Sequence, residues 1–325
     1  PFVISPPHIT MPFLRTLILG GLLSQAASIS SAATRAEITQ KKVAENPKLS
    51  WWDAMDTGPF ISDTFLGFGP KGDVAVLKGI AIKVGKKEDH TMVFDTETLR
   101  MVAGFKGNVM LEGTPWSGKH NDNSYLPESR RDYFFATKKG PGVAVNANWE
   151  DPRETKNGPL PDAQGEYHGL YRHEAGTVLS YSIGGANFLE MPWESPIGLV
   201  RSFRHGPQKQ NVEILLFDSL EGLPKIDIYL KNENSQTSIK KYPSGRVTVL
   251  IPKGPSGSFD VIFSKGDRKI FEFRSPDLGD RMRGGPSLFP EVITVKGRTS
   301  KDDKGYAIDD IPLPKDNPWE SNIRF

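Results

Sequence analysis

A chain of 325 residues with 37% hydrophobic and 25% charged residues has the material for one large core or two ordinary ones, which excludes wholesale disorder. A formal net charge of +2 offers no strong field to nucleic acid or to an anionic membrane. Cysteine is absent, so disulfides, Cys-x-x-Cys-His haem attachment and cysteine nucleophiles are excluded within these residues.

Residues 1–10 precede the first methionine and read as upstream read-through. Met11 to Arg15 (MPFLR) supplies one positive charge, residues 16–23 (TLILGGLL) are apolar, and Ser31 and Ala33 sit where a signal peptidase wants small side chains. Residues 11–33 therefore read as a signal peptide, and the expected location is exported, periplasmic or extracellular. The apolar run is far too short to cross a bilayer core of about 30 Å as a helix, so no transmembrane segment is expected in the mature chain. Residues 34–49 form a charged leader or short helix ending at Asn46-Pro47.

Residues 50–60 (SWWDAMDTGPF) carry two adjacent tryptophans and two aspartates. Ser50 is a good helix N-cap, Asp53 suits the positive helix end, and Gly58-Pro59 is a stop signal. Either the two rings plug a β-core or they form a platform on which a sugar stacks.

From Val74 the pattern is extended. Val93-Phe94, the turn Asp95 to Thr98, and Leu99 to Phe105 read as a hairpin, with Leu99, Met101, Ala103 and Phe105 on one side at period two. Residues 111–168 are rich in turn residues with little periodicity, which marks a functional loop system or a cover. Strand signals resume at Gly169, continue through 177–183, 199–203, 212–217, 226–230 and 246–251, and end in a hairpin of 259–263 with 269–273. With 32 glycines and 26 prolines for turns, this predicts an all-β domain over residues 50–280. Its form is an antiparallel β-sandwich-like fold with a long turn-rich insertion and few short helices. A partial β-propeller is the alternative, because VFDTETLRMV resembles a blade hairpin; blades recur at about 40–50 residues, and no second copy stands at that spacing. Residues 281–325, rich in proline and charge, read as a linker to a downstream domain.

The motifs MDTGPF, LKGIAIKVG, VFDTETLRMVAGF, GLYRHEAGTVLSYSIGG, NFLEMP and RGGPSLFPEVITVKG, with YAIDDIPLPKDNPW, resemble a domain of unknown function. That domain stands near the N-terminus of large exported proteins of the Planctomycetes and Verrucomicrobia. The resemblance implies a front module, followed in the whole protein by a propeller similar to sugar or quinoprotein dehydrogenases and often by a c-type cytochrome domain. Haem c is thereby implied only downstream, with no cofactor inside this chain. The family supplies no catalytic residues to carry over.

Candidate ligand-binding residues cluster in the turn-rich stretch. Trp116, Tyr125 and Trp149 offer half-exposed rings for a sugar face, and His120, Asp122 and Asp151 offer polar partners for hydroxyls. His120 to Asn123 also presents oxygen ligands suited to Ca²⁺, but without the glycine and distal glutamate of the twelve-residue calcium loop. His168 and His173, five apart on one strand, point to opposite faces, so no metal is expected there. Arg281 and Arg283, with Trp319 and Phe325, suit an interface with a following domain. The leading expectation is a non-catalytic exported module for domain packing or ligand presentation. The rivals are a carbohydrate-binding module and a carbohydrate-active hydrolase built on residues 111–168, where acidic residues are too many for spacing to select a cross-cleft pair.

Overall fold

The computed structural model describes residues 35–47, 58–85, 90–110, 124–126, 131–232, 236–265, 273–279, 291–301 and 305–314. Residues 1–34, where a signal peptide is expected, Trp51 to Thr57 of the tryptophan motif, and most of 111–130 lie outside them. The described residues fall in two compact units, one within Ser31–Arg283 and one that includes 291–301 and 305–314.

The first unit begins with one helix, α1 (Arg35–Glu45), in the expected leader. Six strands follow: β1 (Phe60–Phe68), β2 (Val74–Val84), β3 (His90–Asp95), β4 (Arg100–Lys106), β5 (Ser124–Tyr125) and β6 (Tyr133–Ala136). They form sheet I in the order β5-β1-β2-β3-β4-β6, antiparallel except for the short parallel pairing of β1 with β5. Next come β7 (Val143–Val145), β8 (Gly165–His173), β9 (Gly176–Ile183), β10 (Ala186–Ser195), β11 (Gly198–His205) and β12 (Val212–Asp218). The last strands are β13 (Asp227–Asn232), β14 (Ser238–Lys241), β15 (Arg246–Ile251) and β16 (Gly257–Ser264). Sheet II runs β13-β16-β11-β10-β9-β8, and sheet III runs β14-β15-β12-β7. The fold is thus all-β and sandwich-like, as the turn-rich, strand-patterned sequence predicts.

The main core lies where the three sheets meet. Ile82, Phe94 and Phe135 of sheet I face Tyr181, Phe188, Phe203 and Phe263 of sheet II and Ile214 and Val249 of sheet III. Phe135 stacks on Phe263 with ring centroids 4.3 Å apart. Burying each such side chain contributes roughly 1.5–3 kcal/mol. Sheet I is buried on its other face too, where Phe65, Phe68, Val93 and Phe105 form a second cluster.

The hairpin read from VFDTETLRMVAGF is β3 and β4, and the sequence shows why its turn closes. Asp95 accepts hydrogen bonds from the Glu97 and Thr98 amides and from the Thr98 hydroxyl, the last at 2.7 Å, and Leu99 takes a left-handed φ of 52°. One expectation is corrected here. Val93 pairs with Ala103 and Phe94 with Met101, so Val102 is an extra residue, a β-bulge. The bulge flips the alternation: Leu99 and Met101 enter the main core, whereas Ala103 and Phe105 enter the second cluster. Four residues expected on one face are divided between two.

The turn-rich stretch also contributes framework. β6 extends sheet I and β7 extends sheet III from within it, and Tyr133, Phe135 and Val143 are buried. The expected C-terminal hairpin keeps its first half as β16, which pairs with β11 and β13; its second half, up to residue 272, lies outside the described residues.

Candidate functional site

The outward face of sheet II carries the most developed site among the described residues. Strict alternation along β11 sends Leu199, Arg201 and Phe203 inward and Val200, Ser202 and Arg204 outward. On β16 the same rule sends Phe259, Val261 and Phe263 inward and Ser258 and Asp260 outward. Register then does the rest: Ser202 stands directly opposite Asp260, Asp260 opposite Lys231 of β13, and Arg204 opposite Ser258. Three neighbouring strands thereby assemble one polar row.

Residues 273–279 lie across this face as a strap. Leu278 is buried against Val178, Leu189 and Met191, and Phe273 meets Trp193 edge-on at 5.3 Å. Between strap and sheet is a cavity of about 600 Å³.

Its hydrogen bonding is ordered. The Trp193 indole N–H donates to Ser202 Oγ at 2.7 Å, and Ser202 donates to Asp260 Oδ1 at 2.6 Å. The Ser275 hydroxyl of the strap donates to the other oxygen, Oδ2. Lys231 Nζ donates to the Phe273 carbonyl at 2.8 Å, lies 3.5 Å from Ser275 Oγ and sits 4.4 Å from the Phe273 ring centroid. Asp277 Oδ1 accepts the Gly279 amide at 2.8 Å. Both oxygens of the buried Asp260 are thus engaged by hydroxyls, so its role is to hold strap to sheet. The guanidinium of Arg204, half-buried in the lining, has no hydrogen-bond or ion-pair partner among the described residues.

Of the residues singled out from sequence, Trp116, His120, Asp122, Arg281, Arg283, Trp319 and Phe325 lie outside the described residues. Tyr125 is on β5, with its backbone beside Leu66. Trp149 and Asp151 make intramolecular contacts. The Arg246 guanidinium lies 4.4 Å from the Trp149 ring centroid. Asp151 receives the Arg153 Nε and Nη2 hydrogens, each at 2.9 Å, and this pairing holds its carboxyl below the usual range while burial opposes it. Arg153 also donates to the Gly158 carbonyl, so the pair staples its own loop. His173 Nδ1 accepts the Ala175 amide at 3.0 Å, and His168 Nε2 lies 3.7 Å from Glu166. Among the described residues no group of three His, Asp or Glu side chains is placed to hold a metal.

The sheet II site was not singled out from sequence because Ser202, Arg204, Lys231 and Asp260 are scattered over three strands. Each looks like an ordinary solvent-side strand residue. The available signal was weak: FDVIF places a carboxylate in the middle of a strongly apolar strand.

Residues 92–190 match the family model described as Domain of unknown function (DUF6797). This stretch is similar to that domain of unknown function. It runs from β3 to the middle of β10 and so includes parts of all three sheets. No curated protein matches the chain. Among solved structures, the 4-alpha-glucanotransferase from Thermococcus litoralis is similar at 12% identity and a TM-score of 0.31, with 71% of this chain and 50% of that one covered. The chain spans about half the length of that enzyme.

The second unit is small. Arg298 and Asp310 exchange both backbone hydrogen bonds at 2.8 Å, and the Ser300 amide donates to Asp309. Around this bridge Tyr306 is 96% exposed, Ile308 81%, Val292 55% and Ile311 54%.

Proposed function

We propose that this chain is a non-catalytic, exported β module that packs against a following domain of the same polypeptide. The observation that carries the reading is the apolar content of residues 291–314. Tyr306, Ile308, Val292 and Ile311 stand in solvent within about twenty residues, and such a concentration of exposed apolar side chains marks an interaction surface. Among the described residues of the segment one backbone bridge, Arg298 with Asp310, is made and no side chain is buried. Export rests on the signal-peptide pattern of residues 11–33, and a haem-bearing downstream domain rests on the family resemblance alone. Within the chain itself, the sheet II carboxylate is committed to hydroxyls that fix the strap, which favours presentation over turnover.

The test is association in trans. The chain and the next domain of its reading frame are expressed separately, and their binding is measured by calorimetry. Replacing Tyr306 and Ile308 by serine is expected to weaken binding at least tenfold, on the order of 1.4 kcal/mol. Unchanged affinity would remove this segment from the interface, and no association at all would sink the packing role.

A further inference from the structure

The sheet II cavity has features that the packing role does not use. We propose that it is a binding site for a small polyhydroxy carboxylate, a hexuronate in type, with Arg204 as the anchor of the carboxylate.

Size comes first. A volume of about 600 Å³ lies within the range of small-molecule pockets, roughly 300–1,000 Å³. Charge comes second. The lining holds three cations, Arg204, Lys231 and Arg274, against two carboxylates, Asp260 and Asp277. Internal bonds then sort these groups into committed and available. Asp260 is consumed by Ser202 and Ser275, and Lys231 by the Phe273 carbonyl and ring. What remains is net positive: Arg204, whose guanidinium has no hydrogen-bond or ion-pair partner among the described residues, and the exposed Arg274 of the strap, against the exposed Asp277.

Geometry selects among anions. A guanidinium offers parallel N–H donors that match the two oxygens of a carboxylate, and Arg204 is partly withdrawn from water, where such a pair gains strength. Asp277 spends one oxygen on the Gly279 amide and keeps the other as an acceptor, and the Ser258 hydroxyl stands opposite Arg204. An acceptor and a hydroxyl beside a carboxylate anchor suit a ligand with several hydroxyl groups. The half-buried Phe273 ring supplies an apolar wall.

The site is also held in shape before any ligand arrives. Strap and sheet are joined through Asp260, Ser275, Lys231 and the buried Leu278, so binding need not order a loose loop.

The experiment is calorimetric titration of the whole chain with glucuronate, glucose and sulfate. Glucuronate is expected to bind in the millimolar range or tighter, with glucose and sulfate weaker by about tenfold or more. Arg204→Ala should weaken glucuronate roughly tenfold to a hundredfold, and Arg204→Lys should restore only part, because the charge returns without the fork. Unchanged thermal unfolding of both variants separates this from misfolding. Equal affinity for glucose and glucuronate would overturn the carboxylate anchor, equal affinity for sulfate would overturn carboxylate selection, and no glucuronate binding would overturn the site. None of these results touches the packing role, which resides in residues 291–314.

Discussion

Arg201 is the position where the cost of a single substitution can be worked most directly from the structure. Its side chain and that of Glu190 are both 0% exposed. Arg201 Nε donates to Glu190 Oε1 at 2.6 Å and Nη2 to Oε2 at 3.2 Å. Nη1 donates to the Leu215 carbonyl of sheet III at 2.9 Å, and the Tyr181 hydroxyl donates to Glu190 Oε2 at 2.7 Å. The cluster therefore ties sheet II to sheet III inside an apolar core. Replacing Arg201 by methionine leaves a buried carboxylate without its cation, at a cost of about 3–5 kcal/mol. For a unit of this size that lowers Tm by roughly 6–20 °C. Urea unfolding followed by tryptophan fluorescence gives the value. The companion triple substitution Glu190→Leu, Arg201→Met, Tyr181→Phe removes the charges and the orphaned hydroxyl together. It should cost less than Arg201→Met alone. A loss below about 1 kcal/mol for the single variant, or a triple variant less stable than the single, would refute the reasoning.

Other outcomes follow from different parts of the molecule. Gly198 has φ +149°, and a Cβ there would lie 2.0 Å from the Phe263 carbonyl oxygen of β16, so Gly198→Ala should destabilise by about 1–3 kcal/mol in the same assay. Burial lowers the pKa of His205, with its hydrogen bond to the Gly206 carbonyl opposing. The folded state then holds fewer protons than the unfolded chain below about pH 6.5, so stability should fall as pH drops through that value towards the folded pKa, and His205→Gln should flatten this part of the profile. Leu278→Ala removes the buried anchor of the strap, and tryptic cleavage after the exposed Arg274 should accelerate roughly tenfold or more while the far-ultraviolet spectrum is kept.

The sequence was most legible where physics is local. Asp95, Thr98 and the apolar runs on either side announce the β3–β4 hairpin, since the carboxylate that closes the turn bonds within four residues, although the same turn also bonds to Lys78, Gly142 and Leu160. The bulge at Val102 was not legible, because it exists only in the pairing of two strands, and neither strand alone announces it. The same limit hid the sheet II cavity. Ser202, Asp260 and Lys231 become neighbours through register between β11, β16 and β13, across as many as fifty-eight positions of chain. In the turn-rich stretch, composition pointed to loops, yet buried residues such as Phe135 and Val143 make short strands of it by tertiary pairing.

Hydrogen exchange over residues 291–314 tests the packing role most directly, measured in this chain alone and in the polypeptide extended through the next domain. The account predicts rapid exchange at Tyr306 to Ile308 in the chain alone and slower exchange, by at least about tenfold, in the longer protein. Equal and rapid exchange in both would contradict it.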